Sequence, residues 1–318
     1  MSHESGEELI GSAPNSSMYV LIECPLPWAS KAIDSKKIPL NLRETIQKIR
    51  SIDRSIRFLL FLGESRVRSR VMVFRKVLPS GYHKREFELE SIDQVAPLLE
   101  QHLNPTGLEI ECYPSDTQDV FVCTHGSHDK CCAKFGYPFY RQALKLVDQF
   151  QLSNTRFWQV SHIGGHRFAP TIVTFPDGRY YGALDETSLS AILQRSGDIQ
   201  CLNRVYRGWG ILPAPIQVME REIALQRGWD WFQYQVHYRI LEPELMHVEL
   251  RCEKPGDETI VYTARIIEAE SQMILSSCNS NQPTQVRKFA VENLQFVDQR
   301  SHWADYRKQT QETVFQLL

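Results

Sequence analysis

The chain has 318 residues, 42% hydrophobic and 23% charged, an ordinary balance for a globular protein with room for two or three domains. A formal net charge of −2 gives no overall attraction to nucleic acid or acidic lipid, so any partner must be met by local surface. No apolar run approaches bilayer length, and the opening MSHESGEELIGSAPNSS is polar with no apolar core; a cytoplasmic protein without signal peptide or membrane insertion, and with reduced thiols, is expected.

Residues 1–17 are expected to be a disordered lead-in. Hydrophobic periodicity then predicts a strand over 18–24, a helix over 41–52, strands over 56–62 and 70–76, and a helix over 91–103 with a capping box from Ser91 to Gln94. The same order returns as a strand over 119–123, a helix over 138–150, strands over 157–162 and 170–176, and a helix over 187–195. A short extra strand is predicted over 179–184. Each copy has a cysteine at the end of its first strand, Cys24 and Cys123, and the β-α-β-β-α order resembles a thioredoxin-like domain.

The fold class expected is therefore α/β: tandem thioredoxin-like domains with a small C-terminal α+β appendage. The first, degenerate domain spans 18–112, the second 113–205, and 206–318 holds a linker, a helix marked by Pro215, a hairpin pairing 246–253 with 259–277, and a polar tail from about 297.

Chemistry concentrates in the second copy. CTHGSHDKCC carries Cys123, His125, His128, Asp129, Cys131 and Cys132, and HIGGH carries His162 and His166. If the copies fold alike, both segments leave neighbouring strands at one sheet edge. Gly164 and Gly165 let the second loop curl so that both imidazoles face inward. Two thiolates and two imidazoles from two loops suit zinc, and equally suit a 2Fe-2S cluster with two Cys on one iron and two His on the other. The first copy has PLPW after Cys24 where the second has its thiols, so Cys24 reads as a buried small hydrophobe.

CTHGSHDKCCAKFGYPFY, QVSHIGGHRFAPTIVTFPDGRYYGAL and YRGWGILPAPIQ together resemble the sucrase/ferredoxin-like family over roughly 18–230. The resemblance implies a domain similar to thioredoxin-like 2Fe-2S ferredoxins and, by position, cluster ligation through Cys123, Cys132, His162 and His166. Family spacing favours Cys132 over the adjacent Cys131. His125 and His128 are expected to be exposed loop residues, with hydrogen bonding to cluster sulfurs as the alternative, and Asp129 to fix a turn.

The function expected is a 2Fe-2S electron carrier or redox sensor rather than a catalyst, meeting a redox protein or reductase. Neutral imidazole in place of thiolate raises the potential; centres with two His on one iron span about −150 to +300 mV. A ligating imidazole keeps a second nitrogen that exchanges a proton, so electron transfer is expected to be proton-coupled and the potential to fall as pH rises. The alternatives are a zinc-stabilised interaction module and a thiol-dependent thioredoxin-like enzyme, the latter opposed by the lack of a C-x-x-C motif. No pair of carboxylates stands out for glycosidase (sucrase) chemistry. Arg66, Arg68, Arg70, Arg75 and Lys76 form a basic run read chiefly as a solvated sheet face. Trp158, Phe168 and Phe175 are placed near the second motif as core aromatics that also shield it.

Overall fold

The computed structural model describes residues 7–63, 68–257, 259–275 and 283–297. Strand β1 (Met18–Glu23) is buried along its whole length, as its uninterrupted apolar run requires of a strand covered on both faces. It is followed by helix α1 (Leu40–Ile52), β2 (Ile56–Leu62), β3 (Ser69–Val77), β4 (Gly81–Leu89) and α2 (Val95–Gln101). A two-residue ladder, β5 (Leu103–Asn104) with β6 (Gly107–Leu108), leads to the second half. There β7 (Gln118–Cys123), α3 (Tyr137–Gln149), β8 (Thr155–Val160), β9 (Ile172–Phe175), β10 (Arg179–Tyr181) and α4 (Glu186–Gln194) repeat the order.

The halves join in one nine-stranded sheet instead of standing as separate sheets. With α5 (Leu202–Val205) and the edge strand β11 (Tyr206–Trp209) added, its order is β11-β10-β9-β7-β8-β2-β1-β3-β4. β1 runs parallel to β2 and antiparallel to β3, and β7 runs parallel to β8 and antiparallel to β9. The halves meet where β2 and β8 pair antiparallel at Phe61 with Val160 and Leu62 with Gln159.

One face of the sheet carries helices α1 to α4. Val20, Ile22, Leu60 and Val73 pack there on Leu42, Ile46 and Ile49 of α1 and Val95 and Leu99 of α2. Val120, Val122 and Phe157 pack on Phe139, Ala143 and Leu146 of α3 and on Leu189 and Ile192 of α4. The helical residues recur every three to four positions, the spacing that makes one apolar face. The opposite face is aromatic: Tyr19, Phe61, Phe74, Phe121, Trp158 and Phe175 share a core with Met219 and Ile223 of α6 (Ala214–Arg227) and with Leu250 of a second sheet. That sheet is antiparallel, in the order β12 (Gln235–Glu242), β13 (His247–Glu253), β14 (Ile260–Leu275), β15 (Pro283–Val297).

Several expectations are corrected. Residues 9–13 are no loose lead-in: Leu9, Ile10 and Ala13 are buried, and the amides of Ser12 and Ala13 donate to the Arg207 carbonyl at 3.1 and 3.2 Å. The linker-like YRGW is the fully buried strand β11. β4 carries no apolar period, because its HKREFE segment is charged or polar at every position but Phe87 and lies on a partly exposed edge. Ser91 makes no capping bond to the helix; the Gln94 side chain accepts instead from the Glu90 amide at 3.0 Å. The hairpin of β13 and β14 forms with its expected pairing. Arg66, Cys278 and the tail beyond Val297 lie outside the described residues.

Candidate metal centre

β7 and β8 are parallel neighbours with Cys123 opposite Val160, so both chains leave the sheet at the same end, where parallel strands commonly present a site. From β7 the chain enters a π-helical turn, Cys132–Gly136, that runs into α3. Such turns recur at functional sites because they redirect a helix start. Gly136 makes this one fit: a Cβ there would lie 2.0 Å from the carbonyl oxygen of Cys123. Its absence lets the turn press on the strand end, and Cys132 comes beside Cys123.

From β8 the chain passes through Ser161 into the HIGGH loop. Gly164 and Gly165 both take left-handed conformations, with φ of +92° and +73°. The resulting curl sends His162 and His166 to the same side, with ring centroids 5.4 Å apart.

Two overlapping donor groups result. Cys123, Cys132 and His162 offer ligand atoms within 4.8 Å of one another, as do His128, His162 and His166. His162 links them: its Nδ1 is 3.9 Å from the Cys123 sulfur and 3.8 Å from the Cys132 sulfur, and its ring stacks on His128 at 4.0 Å. The structure thus brings the four sequence-predicted residues together and adds His128. Cys131 joins neither group; its amide donates to Asp129 Oδ1 at 2.8 Å, the turn expected of Asp129. Asp129 also reaches the loop opposite, with Oδ2 3.8 Å from His166 Nε2.

Both sulfurs are buried. A hydrogen bond from the Cys132 thiol, with help from the His162 imidazole, holds Cys123 well below the ordinary thiol range despite burial. The neighbouring Cys123 sulfur, together with burial, pushes Cys132 up. A negative sulfur beside a second sulfur and imidazoles is a soft donor set of the kind zinc and iron–sulfur clusters take.

The first half supplies a wall. Its loop after Cys24 offers carbonyls to three side chains of CTHGSH: Trp28 O accepts from Ser127 Oγ at 2.6 Å, Ala29 O from His125 Nε2 at 2.8 Å, and Ser30 O from His128 Nδ1 at 3.0 Å. His125 in turn accepts the His162 amide on Nδ1 at 3.2 Å. Because one partner is a carbonyl and the other an amide, these bonds require the neutral Nε2–H tautomer. Burial, the main influence, holds its pKa below the ordinary value. Cys24 is fully buried, and burial pushes its thiol up to about 11, so it is inert packing.

A buried cation and an ion-pair network anchor HIGGH from outside. Arg207 Nη1 donates to Gly164 O at 3.0 Å and Nη2 to Ser12 O at 2.8 Å. Glu7 accepts from Arg167 Nε at 2.7 Å and from Lys288 of β15 at 2.8 Å. The aromatics divide: Phe168 packs under Arg167 and Arg207, whereas Phe175 stacks on Phe74 and Trp158 donates to Asp119 at 2.9 Å, both in the core. Arg68 and Arg70 pair with Glu88 and Glu86, as a solvated sheet face does.

Fold and donors define a mixed α/β protein with a buried thiol–imidazole group at the ends of two parallel strands. The chain belongs to the sucrase/ferredoxin-like family, whose sequence profile matches residues 9–208. It is similar to "Altered inheritance of mitochondria protein 32" of Meyerozyma guilliermondii, at 27% identity over a 97-residue alignment that covers 29% of this chain. The matched part spans about a third, 34%, of that relative's length. Among solved structures, a thioredoxin-like [2Fe-2S] ferredoxin from Aquifex aeolicus aligns with a TM-score of 0.26 and 16% identity, covering 31% of this chain and 97% of its own. Among the described residues no helix is long and apolar enough to cross a membrane.

Proposed function

We propose that the protein is a one-electron carrier or redox sensor that holds a 2Fe-2S cluster through Cys123, Cys132, His162 and His166, and that it meets a redox protein or reductase in the cytoplasm. The observation that carries this reading is the division of the donors. A single tetrahedral zinc with bonds of about 2.0–2.3 Å needs all four ligand atoms within roughly 3.3–3.8 Å of one another. Here His166 stands outside the cysteine group and joins it through His162, an elongated arrangement suited to a group with two metal atoms. Two sulfurs and two imidazoles are also the donor types that a cluster with one His-bound iron takes.

When bound, such a cluster accepts and releases a single electron. The chain's own residues do the rest. Cys123 and Cys132 present their sulfurs from a rigid strand end and helix start, and Gly164 and Gly165 orient the imidazoles. The Trp28–Ser30 carbonyls hold the first loop closed, and the partly exposed edge of His162 offers a route for proton and electron.

The test is anaerobic purification followed by a visible spectrum, with iron, acid-labile sulfide and zinc measured on the same sample. A red-brown protein with about two irons and two sulfides per chain supports the cluster. A colourless protein with stoichiometric zinc overturns it in favour of a zinc-stabilised module.

A further inference from the structure

β2 and β8 pair only at their C-terminal ends, so among the described residues no strand lies beside Ile56 to Leu59 of β2 on the β8 side. Ser161 covers Leu60, donating its amide at 2.7 Å and receiving the Leu60 amide on Oγ at 2.9 Å. Beyond this point the halves diverge around a cleft of about 660 Å³. That volume is in the range of small-molecule sites.

The cleft is one-sided in charge. Lys31, Arg50, Arg54 and Arg57 line it, and among the described residues no carboxylate does. None of the four makes an ion pair or a side-chain hydrogen bond among the described residues. This contrasts with Arg68, Arg70, Arg156 and Arg204, each of which has a carboxylate partner. Burial, and after it the neighbouring charge of Arg57, pushes Arg50 below its ordinary pKa. Arg50 in the last turn of α1 also complements the helix dipole. That account does not extend to Lys31, on the loop after β1, or to Arg57, on β2. The rest of the wall mixes apolar residues, among them Ile33 and Phe58, the latter under the Arg50 guanidinium, with the serines Ser16, Ser30, Ser55 and Ser161. His125, His128 and His162 also line the cleft.

We propose that this cleft binds a small organic phosphate, its phosphates held by Arg50, Arg54, Arg57 and Lys31 and its apolar part against Ile33 and Phe58, directly beside the imidazoles of the candidate centre. Guanidinium groups match phosphate oxygens in bidentate fashion. A concave cleft of this size suits a compact ligand better than a protein surface. The proposal rests on the cluster reading only for its consequence, that the bound molecule abuts a redox centre; the binding itself is independent of the metal.

The experiment is calorimetric titration of the full chain with inorganic pyrophosphate and with ADP, alongside the Arg50→Gln/Arg54→Gln double variant and an Arg204→Gln control. Arg50, Arg54 and Arg204 are exposed, so the variants are expected to fold, which thermal melting verifies. The expected result is saturable one-to-one binding, tighter for ADP, weakened about tenfold or more by the double variant and unchanged by the control. In cluster-loaded protein the ligand also shifts the visible spectrum. Absence of binding, or binding indifferent to the double variant, overturns the site. So does binding of an acidic peptide with neither small anion bound. A metal-free protein that binds as described sinks the cluster and keeps the site, whereas a red-brown protein that binds neither anion does the reverse.

Discussion

Arg207 Nη1 donates to the carbonyl of Gly164 at 3.0 Å, and a Cβ on Gly165 would sit 2.7 Å from the same guanidinium carbon. The two glycines of HIGGH are thus moulded over a buried cation from the edge strand β11. Arg207→Met should leave the Gly164 and Ser12 carbonyls unanswered and cost about 2–4 kcal/mol. Arg207→Lys should recover little of it, since a single ammonium does not reproduce the fork. Chemical denaturation measures the first effect, and iron retained per chain measures whether the loop still presents its imidazoles.

The glycines differ in what they demand. Gly136 faces the Cys123 carbonyl with no space for a Cβ, so Gly136→Ala should cost about 3 kcal/mol and displace Cys132. Gly164 has a φ of +92° with nothing within 4 Å of a built Cβ, so Gly164→Ala should cost only the backbone strain, about 1–2 kcal/mol. Thermal melts of the two variants check the order; equal losses would contradict it.

This difference marks where local sequence stops informing. The strand ending in Cys123, the helix after it and the curl of HIGGH follow from periodicity and glycine chemistry within a few residues, and they were legible. Arg207, Gly136 and the Trp28–Ser30 carbonyls were not. The relevance of Arg207 lies in a contact 43 residues away, and that of Ala29 in one 96 residues away. Residues 9–13 misled for the same reason, because a polar segment with few apolar residues looks unstructured until the groove that buries Leu9 and Ile10 is present. His128 reads as a loop residue until the fold stacks it on His162.

Glu7 ties the N-terminal segment to Arg167, next to His166, and to Lys288. Burial raises its pKa, but the two cations prevail and hold it below the ordinary carboxylate value. A depressed folded pKa means that the stabilisation is present above the unfolded value near 4.3 and is lost as pH falls through the folded value. Glu7→Gln should therefore lower the melting temperature at neutral pH, by an amount equivalent to about 2 kcal/mol for a partly buried pair. The gap between variant and parent should close as the medium is acidified below pH 4; a constant gap would show that packing, not charge, is the source.

The adjacent cysteines and the two outer imidazoles provide the sharpest test of ligand assignment. Cys132 is buried beside Cys123, whereas Cys131 is half-exposed on the far side of a turn held by Asp129. Likewise His166 is buried, while His128 is exposed and donates Nδ1 to the Ser30 carbonyl, an anchoring role that alanine can lose without emptying the centre. Cys132→Ser and His166→Ala should each abolish the visible absorption and most bound iron. Cys131→Ser and His128→Ala should retain both, with His128→Ala shifting the reduction potential because the ring stacked on His162 is removed. Iron retained in Cys132→Ser but lost in Cys131→Ser would reverse the thiol assignment and require the π-helical turn to rotate by one residue. Iron lost only in His128→Ala would move the second imidazole from HIGGH to the loop after β7.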